Sequence, residues 1–247
     1  MNNAAFHSPY FFLNVLTMLS LIMPVVATYW NPCSRKNPQF LAIISVFLLF
    51  LSVALVNNGL IRVGPEAGDF MLLITFLSFA PLTLAFLPFF LGTEGNQGGW
   101  RKAIWVSLVG YLAIGIAVTA TGQLDEANGS LVNAMGYLLV LVFSLPIFFR
   151  QVRASVHKRL NPGKAFMITS IVFSFACYIL VSLMHLSVEN SMQAGELFML
   201  FQMASLFFGV LMTIGIFLYK PEDPEKPTDK KVVRMPMLTE WEEYSGN

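Results

Sequence analysis

Seven long stretches of this chain are almost wholly apolar: residues 10–29, 40–61, 70–91, 103–121, 131–149, 165–185 and 197–219. Each approaches the roughly 20 residues needed to cross a hydrocarbon layer about 30 Å thick. Lipid offers no partner for a bare backbone N–H or C=O, so such stretches must close their own hydrogen bonds as helices. The alternation expected of barrel strands is absent. The pattern therefore predicts an all-α integral membrane protein, a seven-transmembrane-helix bundle over residues 1–219. A largely disordered tail over 220–247 follows it.

Charge then orients the bundle. Fourteen of the fifteen Lys and Arg residues fall in alternate connections or in the tail, and Arg62 alone falls on the other side. This is the positive-inside bias of polytopic helical proteins, and it places the N-terminus outside and the C-terminus in the cytoplasm. The expected location is a plasma or inner membrane, with the lipid bilayer as first partner. The opening segment MNNAAFHSPY lacks a basic n-region, so the first helix reads as retained rather than cleaved. The densest basic run, Arg150, Arg153, Lys158, Arg159 and Lys164, suits anionic headgroups at the inner face. Topology already accounts for those charges, and a nucleic-acid partner is not called for.

Two connections stand out. Gly92–Gly99, GTEGNQGG, reads as flexible, and RQVRASVHKRLNPGK reads as an extension of the fifth helix that Asn161-Pro162-Gly163 stops. Beyond Lys220, PEDPEKPTDKK is too charged and proline-rich to bury a core of its own. The chain then regains apolar side chains among acids in LTEWEEY. Leu238, Trp241 and Tyr244 are candidate contacts for a cytoplasmic or membrane protein partner.

Inside the seven stretches the inventory is neutral. An ionisable group in lipid is costly and marks function when present; no Asp, Glu, Lys or Arg lies well inside one here. No pair of histidines shares the membrane interior, which argues against bis-histidine haem and against a histidine-based metal site. No catalytic residue and no metal ligand is therefore assigned. The polar groups that remain, above all Asn14, Thr75, Tyr111, Tyr178 and Gln202, are candidates for a ligand site or a solute pathway. Interhelical hydrogen bonding is the ordinary use of such groups. Pro24, Pro81 and Pro146 are expected to bend their helices and free carbonyls, while Gly110, Ala113, Gly115 and Ala117 suit close packing of the fourth helix.

Several strings carry a resemblance. TFLSFAPLTLAF with Pro81, RKAIWVSLVGYLAIG and LFMLFQMASLFFG resemble, in order, the third, fourth and seventh helices of the microbial rhodopsins. The likeness covers most of the membrane region. It implies a seven-helix body around an apolar interior, but with decisive departures. Leu206 stands at the position of the Schiff-base lysine, and Thr75 and Gln202 stand at the acidic counter-ion positions. Without the lysine amine no imine forms, so covalent retinal is excluded, and so is light-driven pumping. IVFSFACYILV in the sixth helix also lacks the family's aromatic and proline pattern. What the resemblance implies is a binding or signalling body without a cofactor.

Three functions fit these features. The first is a non-enzymatic receptor, scaffold or subunit of a membrane complex. The second is a facilitator or transporter for a neutral or weakly polar small molecule. A lipid-modifying enzyme comes third, because no paired carboxylates and no nucleophile–base pair are in view.

Overall fold

The computed structural model describes residues 9–35, 37, 39–57, 79–91, 97–120, 126–158, 161–185 and 191–220. All regular structure among them is helical: α1 (Pro9–Trp30), a short α2 (Pro32–Arg35), α3 (Gln39–Asn57), α5 (Gln97–Ala120), α6 (Glu126–Lys158), α7 (Pro162–His185) and α8 (Ser191–Leu218). Between α3 and α5 lies α4, described over Phe79–Phe90 and tightening to a 3-10 turn at Leu87–Phe90. Six of these helices, α1, α3, α5, α6, α7 and α8, are long and apolar enough to cross a membrane. The architecture is that of a multi-pass membrane bundle. The third apolar stretch, 70–91, lies partly outside the described residues, and α4 is its described end.

Boundaries differ from the hydropathy pattern where polar residues continue a helix past the lipid. α5 starts six residues before the expected 103, so Gln97–Gly99 are helical rather than part of a flexible connection. Glycine costs little in a first turn, whose N–H groups have no intrahelical partner in any case. α6 runs on to Lys158, which realises the extension expected after the fifth apolar stretch. Asn161, directly before α7, has φ of 36°, in the left-handed region that Asn tolerates better than most residues. Pro162 then opens α7, a position where the missing N–H is no loss.

Pairings across the interfaces give relative directions. Asn14 meets Gln202, Ser20 meets Gly209 and Asn31 meets Ile216, so α1 and α8 run parallel. Ser170 reaches Phe208 and Tyr178 reaches Ser205, so α7 runs against α8. Tyr111 reaches Val132 and Trp100 packs on Phe143, so α5 runs against α6. α4 runs against α3 through Phe40–Phe89 and Phe50–Phe79. It runs with α6, since Gly136 lies against Ala80 and Gln151 reaches Phe90.

Close approaches depend on missing side chains. A Cβ on Gly136 would stand 2.5 Å from the Tyr111 hydroxyl and 2.8 Å from the Ala80 Cβ, so this glycine is what lets α4, α5 and α6 meet. Gly209 lies flush on α1, where a Cβ would come within 2.3 Å of the Ser20 carbonyl oxygen. Pro24, four residues on, has no N–H to give that carbonyl. The proline thus exposes an acceptor, and the glycine lets the α8 backbone close over it.

The small residues of α5 do not do the same within this chain. Gly99, Ala103, Gly110, Ala113 and Ala117 are exposed, and a Cβ on Gly110 would meet nothing within 4 Å. Only Gly115 of the four expected packing residues is buried.

Candidate functional site

The centre of the bundle is built on a four-residue repeat in α7. Ser170, Ser174 and Tyr178 recur at i, i+4 and i+8, so they share the face that meets α8. Ser170 Oγ donates to the Phe208 carbonyl at 3.0 Å, and Ser174 Oγ lies 3.5 Å from the Ala204 carbonyl. The Tyr178 hydroxyl shares a 3.0 Å hydrogen bond with Ser205 Oγ, which also lies 2.8 Å from the Phe201 carbonyl. On the other side of α8, the Gln202 side-chain amide donates to Asn14 Oδ1. Thr17 Oγ1 donates to Leu13 O at 2.9 Å and reaches Gln202 O at 3.4 Å. These contacts join α1, α8 and α7 into one unit.

Aromatic rings fill the space beside the polar ladder. Tyr178 is fully buried, with ring centroids of Phe201 at 4.9 Å, Phe175 at 5.6 Å, and Phe50 and Tyr137 at 5.7 Å. Phe50 stacks on Phe79 at 3.6 Å, and Phe47 stacks on Phe208 at 4.7 Å. The cluster draws on α3, α4, α6, α7 and α8. Offset and edge-on aromatic pairs contribute about 0.5–1.5 kcal/mol each beyond area burial. In lipid, where apolar burial does not favour one helix neighbour over another, such packing carries much of the cohesion.

Of the candidates from the sequence, Asn14, Tyr178 and Gln202 are brought into this centre. Leu206 is half-buried on α8, next to Ser205 in sequence. Tyr111 lies elsewhere, buried at the α5–α6 boundary, with its hydroxyl donating to the Val132 carbonyl at 3.4 Å. It borders a groove of about 330 Å³ between α5 and α6, with Ser107, Gly110, Ile114 and Met135 among its walls. Thr75 lies outside the described residues, as do Arg159, Leu238, Trp241 and Tyr244.

Two further features lie beside these candidates. Asn133 is buried one turn from Tyr137 on α6, and its Oδ1 has no hydrogen-bond partner among the described residues. The i, i+4 spacing of Asn133 and Tyr137 was available as a signal. The other is a clasp at the basic end of the bundle, where the last carbonyls of α4 have no intrahelical donors. Arg101 Nη2 donates to Leu91 O at 3.1 Å, and Gln151 Nε2 donates to Phe90 O at 2.8 Å. Lys164 Nζ lies 5.6 Å from the Phe89 ring centroid. Cations near a helix C-terminus are favoured by its partial negative charge. Lys164 is accordingly buried, whereas Arg150 and Arg153 of the expected anchor are exposed. Lys158 closes α6.

Among the described residues no group of three His, Cys, Asp or Glu side chains is placed to hold a metal ion. Cys33 and Cys177 are free thiols. Comparison with protein-family models, with characterised proteins and with solved structures finds no match for this chain.

Proposed function

We propose that this chain is a non-enzymatic seven-helix membrane protein that serves as a receptor, scaffold or subunit of a membrane complex, with its basic end in the cytoplasm. The helix directions support seven crossings. α1 and α8 run parallel, which an odd number of spans requires, and α4 runs opposite to α3 and alongside α6. The seventh span on this reading is the apolar stretch 70–91 that ends in α4. The orientation rests on the lysine and arginine bias.

One observation carries the functional reading: the buried polar groups are joined to one another across helices. Gln202 holds Asn14, Tyr178 holds Ser205, and Ser170 holds the α8 backbone, with aromatic rings packed between them. That use gives the bundle cohesion and leaves chemistry to its surfaces. No covalent cofactor is part of the reading, since α8 contains no lysine to form an imine. The rhodopsin resemblance then bears on architecture alone. The outward face of α5, with Gly99, Ala103, Gly110 and Ala113 at alternating spacings of four, seven and three, suits the backbone-close approach of a partner's transmembrane helix. The tail residues Leu238, Trp241 and Tyr244 offer a second contact on the cytoplasmic side.

The test is purification from native membranes in mild detergent, with mass spectrometry of co-purifying proteins and extractable small molecules. A stoichiometric protein partner, lost on substitution of Gly110 by Ile, supports the reading. A lone protein carrying a defined small molecule overturns the scaffold form of it. The alternative, a facilitator for a neutral solute, draws its support from Asn133, a buried acceptor with no partner among the described residues. Flux of neutral solutes into proteoliposomes, abolished by Asn133→Leu, is what that alternative requires.

A further inference from the structure

Residues 221–247 carry a net charge of −3, seven acidic side chains against Lys226, Lys230, Lys231 and Arg234, all four of which precede Leu238. Those seven are half of the chain's 14 acidic residues, and Glu240, Glu242 and Glu243 surround Trp241 with no Lys or Arg after Arg234. The described basic end of the bundle carries Arg101, Lys102, Arg150, Arg153, Lys164 and Lys220. The one carboxylate side chain described, that of Glu196, belongs to the first turns of α8 at the opposite end. Arg150 and Arg153 are both exposed on the last turns of α6, three residues apart and hence on one face.

The root of the tail is held at the start of α7. The Asn161 side-chain amide donates to the Lys220 carbonyl, and the Lys220 N–H donates back to Asn161 Oδ1 at 3.4 Å. Asn161 directly precedes α7, so the tail leaves the bundle at the end where α7 begins, and the last turns of α6 with Arg150 and Arg153 lie at that same end. Residues 221–237 separate this root from Leu238. A chain of 17 residues spans at most about 55 Å, enough to bring LTEWEEY back to the α6 end. Tethering at that range gives an effective concentration in the millimolar range, so even a weak contact forms within one chain. An anionic leaflet repels the same acidic segment.

From this we infer that Leu238–Tyr244 docks on the basic end of its own bundle, with Glu240, Glu242 and Glu243 against Arg150 and Arg153. The tail then covers its own apolar and aromatic residues until a competitor takes either side of the contact. The inference stands on the charge distribution and the Asn161 clamp, and it holds whether the bundle is a scaffold or a facilitator.

Crosslinking in nanodiscs of zwitterionic lipid tests it. Cysteines replace Ala154 and Ser245, Cys33 and Cys177 become serine, and a short bismaleimide is added. The expected result is an intramolecular crosslink whose yield drops roughly threefold to tenfold in about 1 M salt, where charges are screened beyond about 3 Å. Arg150→Glu with Arg153→Glu produces the same drop. Adding Glu240→Lys, Glu242→Lys and Glu243→Lys to that protein restores the yield, and elution as a single species shows that each variant folds. A yield indifferent to salt and to charge reversal overturns the inference, because random tether collisions would give it. A crosslink between two chains also overturns it, by assigning the segment to a second copy.

Discussion

Gly209→Ala asks for one methyl group where the structure has none to spare. The new Cβ would stand 2.3 Å from the Ser20 carbonyl oxygen, 2.7 Å from its carbon and 3.0 Å from its Oγ. The obstacle is backbone, so no side-chain rotation relieves it. α1 and α8 must separate by about an ångström to restore ordinary contact. Overpacking of this kind costs about 1–3 kcal/mol. Separation also stretches the Gln202–Asn14 and Thr17–Gln202 contacts, which at about 0.6 kcal/mol each bring the total to about 2–4 kcal/mol. At 2–4 °C per kcal/mol for a chain of this size, the midpoint of thermal unfolding falls by about 5–15 °C. Gly110→Ala is the matched control, since its Cβ meets nothing within 4 Å and alanine favours the helix. The assay is loss of the monodisperse peak on heating in one detergent, with both variants side by side. Equal midpoints for Gly209→Ala and Gly110→Ala would refute the close approach of α1 and α8.

Other consequences are as direct. In a double-mutant cycle, Asn14→Leu and Gln202→Leu show a coupling of about 0.6 kcal/mol and no more than about 1.7, read from thermal unfolding. Replacing Gly110 with Ile leaves the unfolding midpoint within about 2 °C of wild type, as an outward position should, while abolishing recovery of a membrane partner. Gln151→Leu removes the donor to Phe90 O and costs about 1 kcal/mol, measured the same way, with no comparable loss at exposed Arg153→Leu. Asn161→Ala is less stable than Asn161→Gly, because both lose the Lys220 clamp but only alanine is strained at φ of 36°.

Much of the fold was legible before any coordinate. The apolar runs located the long helices and the basic residues marked one end of the bundle, while Asn14, Tyr178 and Gln202, read with Thr75, Tyr111 and Leu206 as candidates for a ligand site or pathway, hydrogen-bond to neighbouring helices. Helix ends were less legible. α5 begins at Gln97 and α6 runs from Glu126 to Lys158, because a helix does not stop where lipid stops. Partnership was not legible at all. Gly110 and Gly209 look alike in a string, yet one faces outward and the other lies against a carbonyl that Pro24 leaves without its usual donor. Asn14 and Gln202 are 188 residues apart, and no local pattern pairs them.

The amino-acid sequence determines that this chain forms long apolar helices with one basic end, because an unpaired backbone group in hydrocarbon is too costly and every span must satisfy itself. Which face of each helix turns inward is decided only in the tertiary structure. Lipid tails are as apolar as leucine, so hydropathy does not separate inside from outside once a helix is in the membrane. The α7 polar ladder, the aromatic cluster around Tyr178 and the glycine contacts of α8 make that choice together, through shape and hydrogen bonding between residues far apart in the chain.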